Sequence, residues 1–91
     1  MLRHCNIIIE GDVQGVNFRW LSQANAGRLG LAGFAQNKEG GSLFIAVEGD
    51  LEKINEFLHW CHLGPSLAKV QRVEANFSEQ LQGYQGFEIL G

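Results

Sequence analysis

Cys5-Asn6-Ile7-Ile8-Ile9-Glu10-Gly11-Asp12-Val13-Gln14-Gly15-Val16-Asn17-Phe18-Arg19 holds an isoleucine-rich run, a loop with two glycines and the start of a helix. Cys5–Glu10 reads as a strand, with Cys5, Ile7 and Ile9 on one face and Ile8 on the other, because side chains alternate with period two. Gly11 to Gly15 reads as a loop. Phe18–Leu29 reads as a helix with two candidate stripes, Leu21, Ala24 and Arg28 on one and Ser22, Ala26 and Leu29 on the other. The small residues of the second stripe suit close packing on a sheet. Gly27 costs about 1 kcal/mol in a helix relative to alanine, and close packing is the reason expected for it. Gly30 suits a left-handed C-terminal cap.

Outward from this unit the chain continues in the same idiom. Leu31–Gln36 reads as a second strand and Asn37-Lys38-Glu39-Gly40-Gly41 as a turn. Ser42–Glu48 reads as a third strand, with Leu43, Ile45 and Val47 on one face and Phe44 and Ala46 on the other. The two strands make a hairpin. Asp50 is a candidate N-cap for a second helix, and Leu51, Ile54, Phe57, Leu58 and Cys61 recur at helical spacing. Gly64-Pro65 stops that helix. Val70–Phe77 reads as strand four, Gln80–Gly86 as a polar turn and Phe87–Leu90 as a short terminal strand. The order β-α-β-β-α-β with a short extra C-terminal strand predicts a ferredoxin-like α/β sandwich, an antiparallel sheet with two helices on one face. At 91 residues the chain is expected to form one domain, since chains near this size bury roughly two-thirds of their unfolded surface.

Composition removes several function classes. The net charge is −3 and the seven Lys and Arg are scattered, so the basic stripe that tracks a nucleic-acid backbone is missing. No apolar run approaches the ~20 residues of a membrane-spanning helix, and the opening residues lack a signal-peptide pattern. A cytoplasmic monomer with no nucleic-acid or membrane partner is expected. Cys5 and Cys61 read as two reduced, buried thiols, with a disulfide as the open alternative. His59 and His62 could share a metal at i, i+3. With no third polar ligand nearby they read instead as surface histidines near a helix C-terminus. Trp20 and Trp60 read as packing aromatics.

The loop Gly11–Arg19 leads into a helix N-terminus, where unpaired amides and the helix dipole together favour an anion. Arg19, in the first helical turn, opposes that dipole and so helps the fold little. It fits if an anion sits between them and takes its guanidinium fork. The alternatives at this point are a phosphate or carboxylate site and an ordinary glycine-rich loop with a solvated arginine. The Walker pattern and the dinucleotide fingerprint are both absent.

The run Gly11-x-Val13-Gln14-Gly15-Val16-x-Phe18-Arg19 resembles the signature of the acylphosphatase family. Ala26-x-x-Leu29-Gly30-Leu31-x-Gly33-x-x-x-Asn37-x-x-x-Gly41-Ser42 resembles its second block. Gly49, Gly64-Pro65 and the closing Phe87-Glu88-Ile89 also fall where that family places them. The resemblance implies a hydrolase that cleaves the carboxyl–phosphate anhydride of acyl phosphates, releasing inorganic phosphate, with no cofactor, metal or phosphoenzyme. It implies that the amides of Gln14, Gly15, Val16, Asn17, Phe18 and Arg19 bind the phosphoryl oxygens. The Arg19 guanidinium would bind the same group, and Asn37 would hold the attacking water in line.

Those residue types suit the reaction. A carboxylate leaves without protonation, so positioning and charge stabilisation are what an enzyme must supply. An asparagine amide oxygen can accept a hydrogen bond from water and aim it. The chain departs from the family at Gln36, where a basic residue is common, and at Gly40-Gly41, where Asp-Gly is common. Three other readings share the fold. RNA-recognition domains need aromatics on strands one and three, and here only Phe44 qualifies. A regulatory domain would bind its ligand without turnover. The related N-terminal domains of large hydrogenase-maturation proteins commonly follow the motif arginine with proline, where this chain has Trp20. A free-standing acylphosphatase is the expectation.

Overall fold

The computed structural model describes residues 1–91. The elements are β1 (Leu2–Asp12), α1 (Phe18–Leu29), β2 (Ala32–Asn37), β3 (Leu43–Asp50), α2 (Leu51–Leu63), β4 (Lys69–Ser78) and β5 (Phe87–Leu90). They follow the expected order, and the strands are longer than the apolar runs. β1 starts three residues before Cys5 and runs on through Gly11 and Asp12, because its ladders to β3 and β4 extend beyond the isoleucines.

The sheet order is β4-β1-β3-β2-β5. The four principal strands are antiparallel as expected. β5 lies parallel to β2, which makes the whole sheet mixed. Cys5, Ile7, Ile9, Leu43, Ile45 and Val47 face the helices and are fully buried. From α2 they meet Ile54, Phe57 and Cys61, and from α1 they meet Phe18, Ala26 and Leu29. Of the two α1 stripes, the Ser22–Ala26–Leu29 one is inside, and Leu21 on the other stays 41% exposed. The buried Ser22 hydroxyl donates to the Phe18 carbonyl at 2.8 Å, so it carries no unpaired polar cost.

Gly27 is not a packing glycine. It sits on the exposed side of α1, and a Cβ there would meet nothing within 4 Å. Gly27→Ala therefore removes backbone freedom from the unfolded chain without a clash. It is expected to add about 1 kcal/mol of stability and raise Tm by roughly 4–8 °C. Thermal unfolding followed by circular dichroism checks this; an unchanged or lower Tm would refute it.

Gly11, expected in the loop, lies inside β1 where the register against β4 shifts. Its φ is +132°, and a Cβ would fall 2.1 Å from the Lys69 carbonyl oxygen. Its smallness serves the close approach of the β1 and β4 backbones.

From β4 at one edge to β5 at the other, the segment 79–86 must cross the helix-free face. Glu48, in register with His4 across β1 and β3, clasps it midway. The Glu48 carboxylate accepts the Gly83 amide at 3.0 Å and the Gln82 amide, and it faces His4 Nδ1 at 2.7 Å. Tyr84 then packs edge-on against Phe34, ring centres 5.8 Å apart. Burial pushes the Glu48 carboxyl up, but hydrogen bonds from Gln82, His4, Gly83 and Tyr84 together outweigh it and hold the group below its ordinary 4.5. A carboxyl lowered by folding stabilises the fold above its unfolded pKa, and that contribution is lost as pH falls through the folded value. Stability is thus expected to drop as the medium is acidified below about pH 4.5. Glu48→Gln, which has no charge to lose, is expected to show a shallower drop in denaturant unfolding series. Parallel pH profiles would rule the clasp out as the source.

Candidate active site

β1 and β2 run in the same direction with β3 between them, so the loop after β1 and the last residue of β2 emerge at the same end of the sheet. That is how Arg19 and Asn37, eighteen positions apart in the chain, come to line one cleft.

The loop is held by its apolar residues. Val13 and Phe18 are 1% and 2% exposed, and Val16 packs against the core. Phe18 also meets Trp60 edge-on, ring centres 5.3 Å apart. The residues between these anchors are left outward: Gly15 and Asn17 are exposed, while Gln14 and Arg19 are half-buried. Gly15 has φ +74° and Asn17 φ +64°. Left-handed residues interspersed in a short loop turn successive amides to one side, the arrangement of an anion-binding nest. For asparagine this conformation is uncommon but tolerated.

The N-terminus of α1 is electrostatically open. Asn17 occupies the cap position but makes no side-chain cap bond, and the first turn has no acidic residue. The first helical bond runs from the Leu21 amide to the Asn17 carbonyl at 3.0 Å. The amides before it are the ones a helix leaves unpaired. α2 differs, with Glu52 in its first turn. Asp12, the acidic residue closest in sequence to the loop, is exposed and does not line the cleft.

The cleft has a volume of about 160 Å³ and is lined by Val13, Gly15, Asn17, Phe18, Arg19, Trp20 and Asn37. Arg19 is its one charged residue. The expected site residues Gly15, Asn17, Phe18, Arg19 and Asn37 are therefore brought together. Gln14 and Val16 do not line it: Val16 points to the core, and Gln14 is a strut. The Gln14 amide nitrogen donates to the Lys38 and Ser42 carbonyls, each at 2.8 Å. This bridge ties the loop after β1 to the turn that follows Asn37.

Arg19 is braced from the opposite side. Its Nη1 donates to the Leu90 carbonyl of β5 at 2.9 Å. Sequence reasoning missed this contact, since a main-chain carbonyl has no residue signature. It also misread Trp20, which is 64% exposed at the cleft rim. Trp60 does pack as expected, against Phe18 and Phe57. The available signal for Trp20 was its place beside Arg19 in the first helical turn.

The other candidates fall away from the cleft. Cys5 and Cys61 are fully buried free thiols. Burial pushes Cys5 up to about 11 and Cys61 higher still, so neither supplies a thiolate nucleophile near neutral pH. His59 and His62 are exposed on α2. No group of three or more His, Cys, Asp or Glu is placed to hold a metal ion. Lys38 leans away from the cleft, donating to Gln36 Oε1 at 3.1 Å and lying over the Phe44 ring.

Comparison with known proteins gives a consistent picture. The family model for acylphosphatase matches residues 5–89. An acylphosphatase of Thermococcus kodakarensis is 41% identical over 83 residues, covering 91% of this chain and 90% of that protein. The crystal structure of acylphosphatase from Bacillus subtilis superposes with a TM-score of 0.94 at 33% identity, covering all of both chains. The crystal structure of full-length HypF in the phosphate- and nucleotide-bound form matches with a TM-score of 0.91 at 32% identity. That match covers all of this chain and 12% of HypF.

Proposed function

This chain belongs to the acylphosphatase family and is a hydrolase of acyl phosphates, and on that footing we propose that Arg19 and the loop hold the phosphoryl group while Asn37 aims the water. The amides of Gln14 to Arg19 and the Arg19 guanidinium receive the phosphoryl oxygens. The Asn37 carboxamide accepts a hydrogen bond from water and sets it in line with phosphorus. Attack forms the new P–O bond as the carboxyl–phosphate bond breaks, releasing a carboxylate and inorganic phosphate. The proton of the water passes to a phosphate oxygen.

The observation that carries this reading is the cleft itself. An uncapped helix N-terminus, the Arg19 guanidinium and the Asn37 carboxamide converge there, and no carboxylate lines it to repel a dianion. Electrostatic preorganisation of that kind is the main lever available for phosphoryl transfer. Gln14 supports it as a positioning residue, because its two bonds set the distance between the group that holds phosphate and the group that holds water. No metal, cofactor or phosphoenzyme enters the scheme, since a carboxylate leaving group needs neither Lewis acid nor general acid.

The test is steady-state hydrolysis of acetyl phosphate beside a phosphate monoester, with and without a chelator. Turnover of acetyl phosphate alone, unaffected by chelator, is expected. Turnover of the monoester, or activity lost to the chelator, would overturn the mechanism. Residues 1–91 are proposed to act as one catalytic domain, in a cytoplasmic monomer that acts on a free small molecule rather than a nucleic acid or a membrane. Two buried free thiols suit a reducing compartment, and no helix is long and apolar enough to cross a membrane.

A further inference from the structure

We infer that Trp20 forms a subsite for the acyl half of the substrate and biases the enzyme toward flat, apolar acyl groups such as aryl carboxyl phosphates. The cleft of about 160 Å³ is well below the roughly 300–1,000 Å³ of sites that enclose whole small molecules. With the phosphoryl group held by the loop and Arg19, a bulky acyl group is not enclosed and meets the rim. Three of the seven lining residues are apolar, Val13, Phe18 and Trp20. Val13 and Phe18 are 1% and 2% exposed and are spent on the core. Trp20 is 64% exposed and is left as the one apolar surface the projecting group can meet.

The remaining rim residues, Gly15, Asn17, Arg19 and Asn37, offer amides and a cation suited to oxygen, not to a hydrocarbon. An indole is rigid and broad, so it provides contact area at little conformational cost. Trp20 and Arg19 line the same cleft from the first turn of α1. A group bonded to a phosphate held by Arg19 thus starts within reach of the indole. Trp20 takes part in none of the molecule's aromatic pairs, so its exposure is not offset by packing of that kind.

Because the subsite presupposes a phosphoryl group in the cradle, it rests on the hydrolase reading above. Benzoyl phosphate and acetyl phosphate present the same head group and differ in the acyl part, so KM and kcat for both are measured in the wild type, Trp20→Ala and Trp20→Phe. The wild type is expected to show the lower KM for benzoyl phosphate. Trp20→Ala is expected to raise the benzoyl-to-acetyl KM ratio by about three- to tenfold, the range of a single aromatic contact. The ratio of kcat values is expected to stay within about twofold, because stacking on the acyl group is the same in ground and transition states. Trp20→Phe is expected to keep most of the preference. A KM ratio that Trp20→Ala leaves unchanged, or a fall in kcat alike for both substrates, would overturn the subsite while leaving the hydrolase intact. A wild type that turns over neither substrate would instead overturn the hydrolase reading itself.

Discussion

Arg19→Ala is expected to lower kcat/KM for acetyl phosphate by at least a thousandfold. Removing one neutral donor from a site that stabilises developing charge typically costs ~3–4 kcal/mol, or two to three powers of ten. Arg19 is a charged donor able to bind two phosphoryl oxygens at once, and such bonds are roughly twice as strong as neutral ones. No second cation lines the cleft to take over. The loss is expected in both binding and turnover, so inhibition by inorganic phosphate should weaken in parallel. Arg19→Lys restores the charge but not the fork, and it cannot both reach Leu90 and clamp a phosphate; recovery is expected to be partial. The fold should survive, since Arg19 makes one bond to β5 and a single hydrogen bond contributes only about 1 kcal/mol. Near-normal turnover by a folded Arg19→Ala protein would remove Arg19 from the mechanism.

The second large effect is expected at Asn37, with a different signature. Asn37→Ala removes the carboxamide that aims the water and leaves the loop, the helix amides and Arg19 in place. A drop in kcat of about two to three powers of ten is expected, with KM and phosphate inhibition close to those of the wild type. An interaction absent from the ground state and present in the transition state lowers kcat without weakening substrate binding. The contrast between the variants is the informative quantity: Arg19 changes both constants, Asn37 only one. Equal losses of binding in the two would mean that Asn37 holds phosphate and not water. Turnover within a few-fold of the wild type would exclude Asn37 from any chemical role.

Both effects depend on a geometry assembled from four separate segments. Arg19 comes from the start of α1 and Asn37 from the end of β2. Gln14 fixes the gap between their loops, and Leu90 on β5 steadies the guanidinium. β5 pairs with β2 there, and the segment 79–86 that leads to it crosses the helix-free face and is clasped by Glu48. An acid-sensitive carboxylate far from the cleft in the chain is thereby linked to the brace on Arg19.

Much of this was legible in the residues. Alternation of Cys5, Ile7 and Ile9, and of Leu43, Ile45 and Val47, named the core face of the sheet correctly, because period two leaves no freedom once one side is covered. The bounds of α1 and the end of α2 at Gly64-Pro65 were readable for the same kind of reason, since helix starts and stops follow from local backbone chemistry. The spacing Val13, Val16, Phe18 in the loop was readable as a motif, and the structure gives its cause: these three hold the loop down so that the residues between them face outward. Trp20, Gly11 and Gly27 depart from what their residue types suggest. In each case the residue type has two common uses, and only its neighbours in space distinguish them.

The element order, the buried faces, the anion-attracting start of α1 and the family likeness are all written in local periodicity, caps and contiguous motifs. Packing in three dimensions was needed to place β5 parallel to β2, to make Gln14 a strut, to brace Arg19 on Leu90 and to leave Trp20 at the rim. Those four depend on contacts between segments up to 71 positions apart. Main-chain carbonyls and the direction of an exposed side chain are set by where the chain returns in space, and no spacing along it records that.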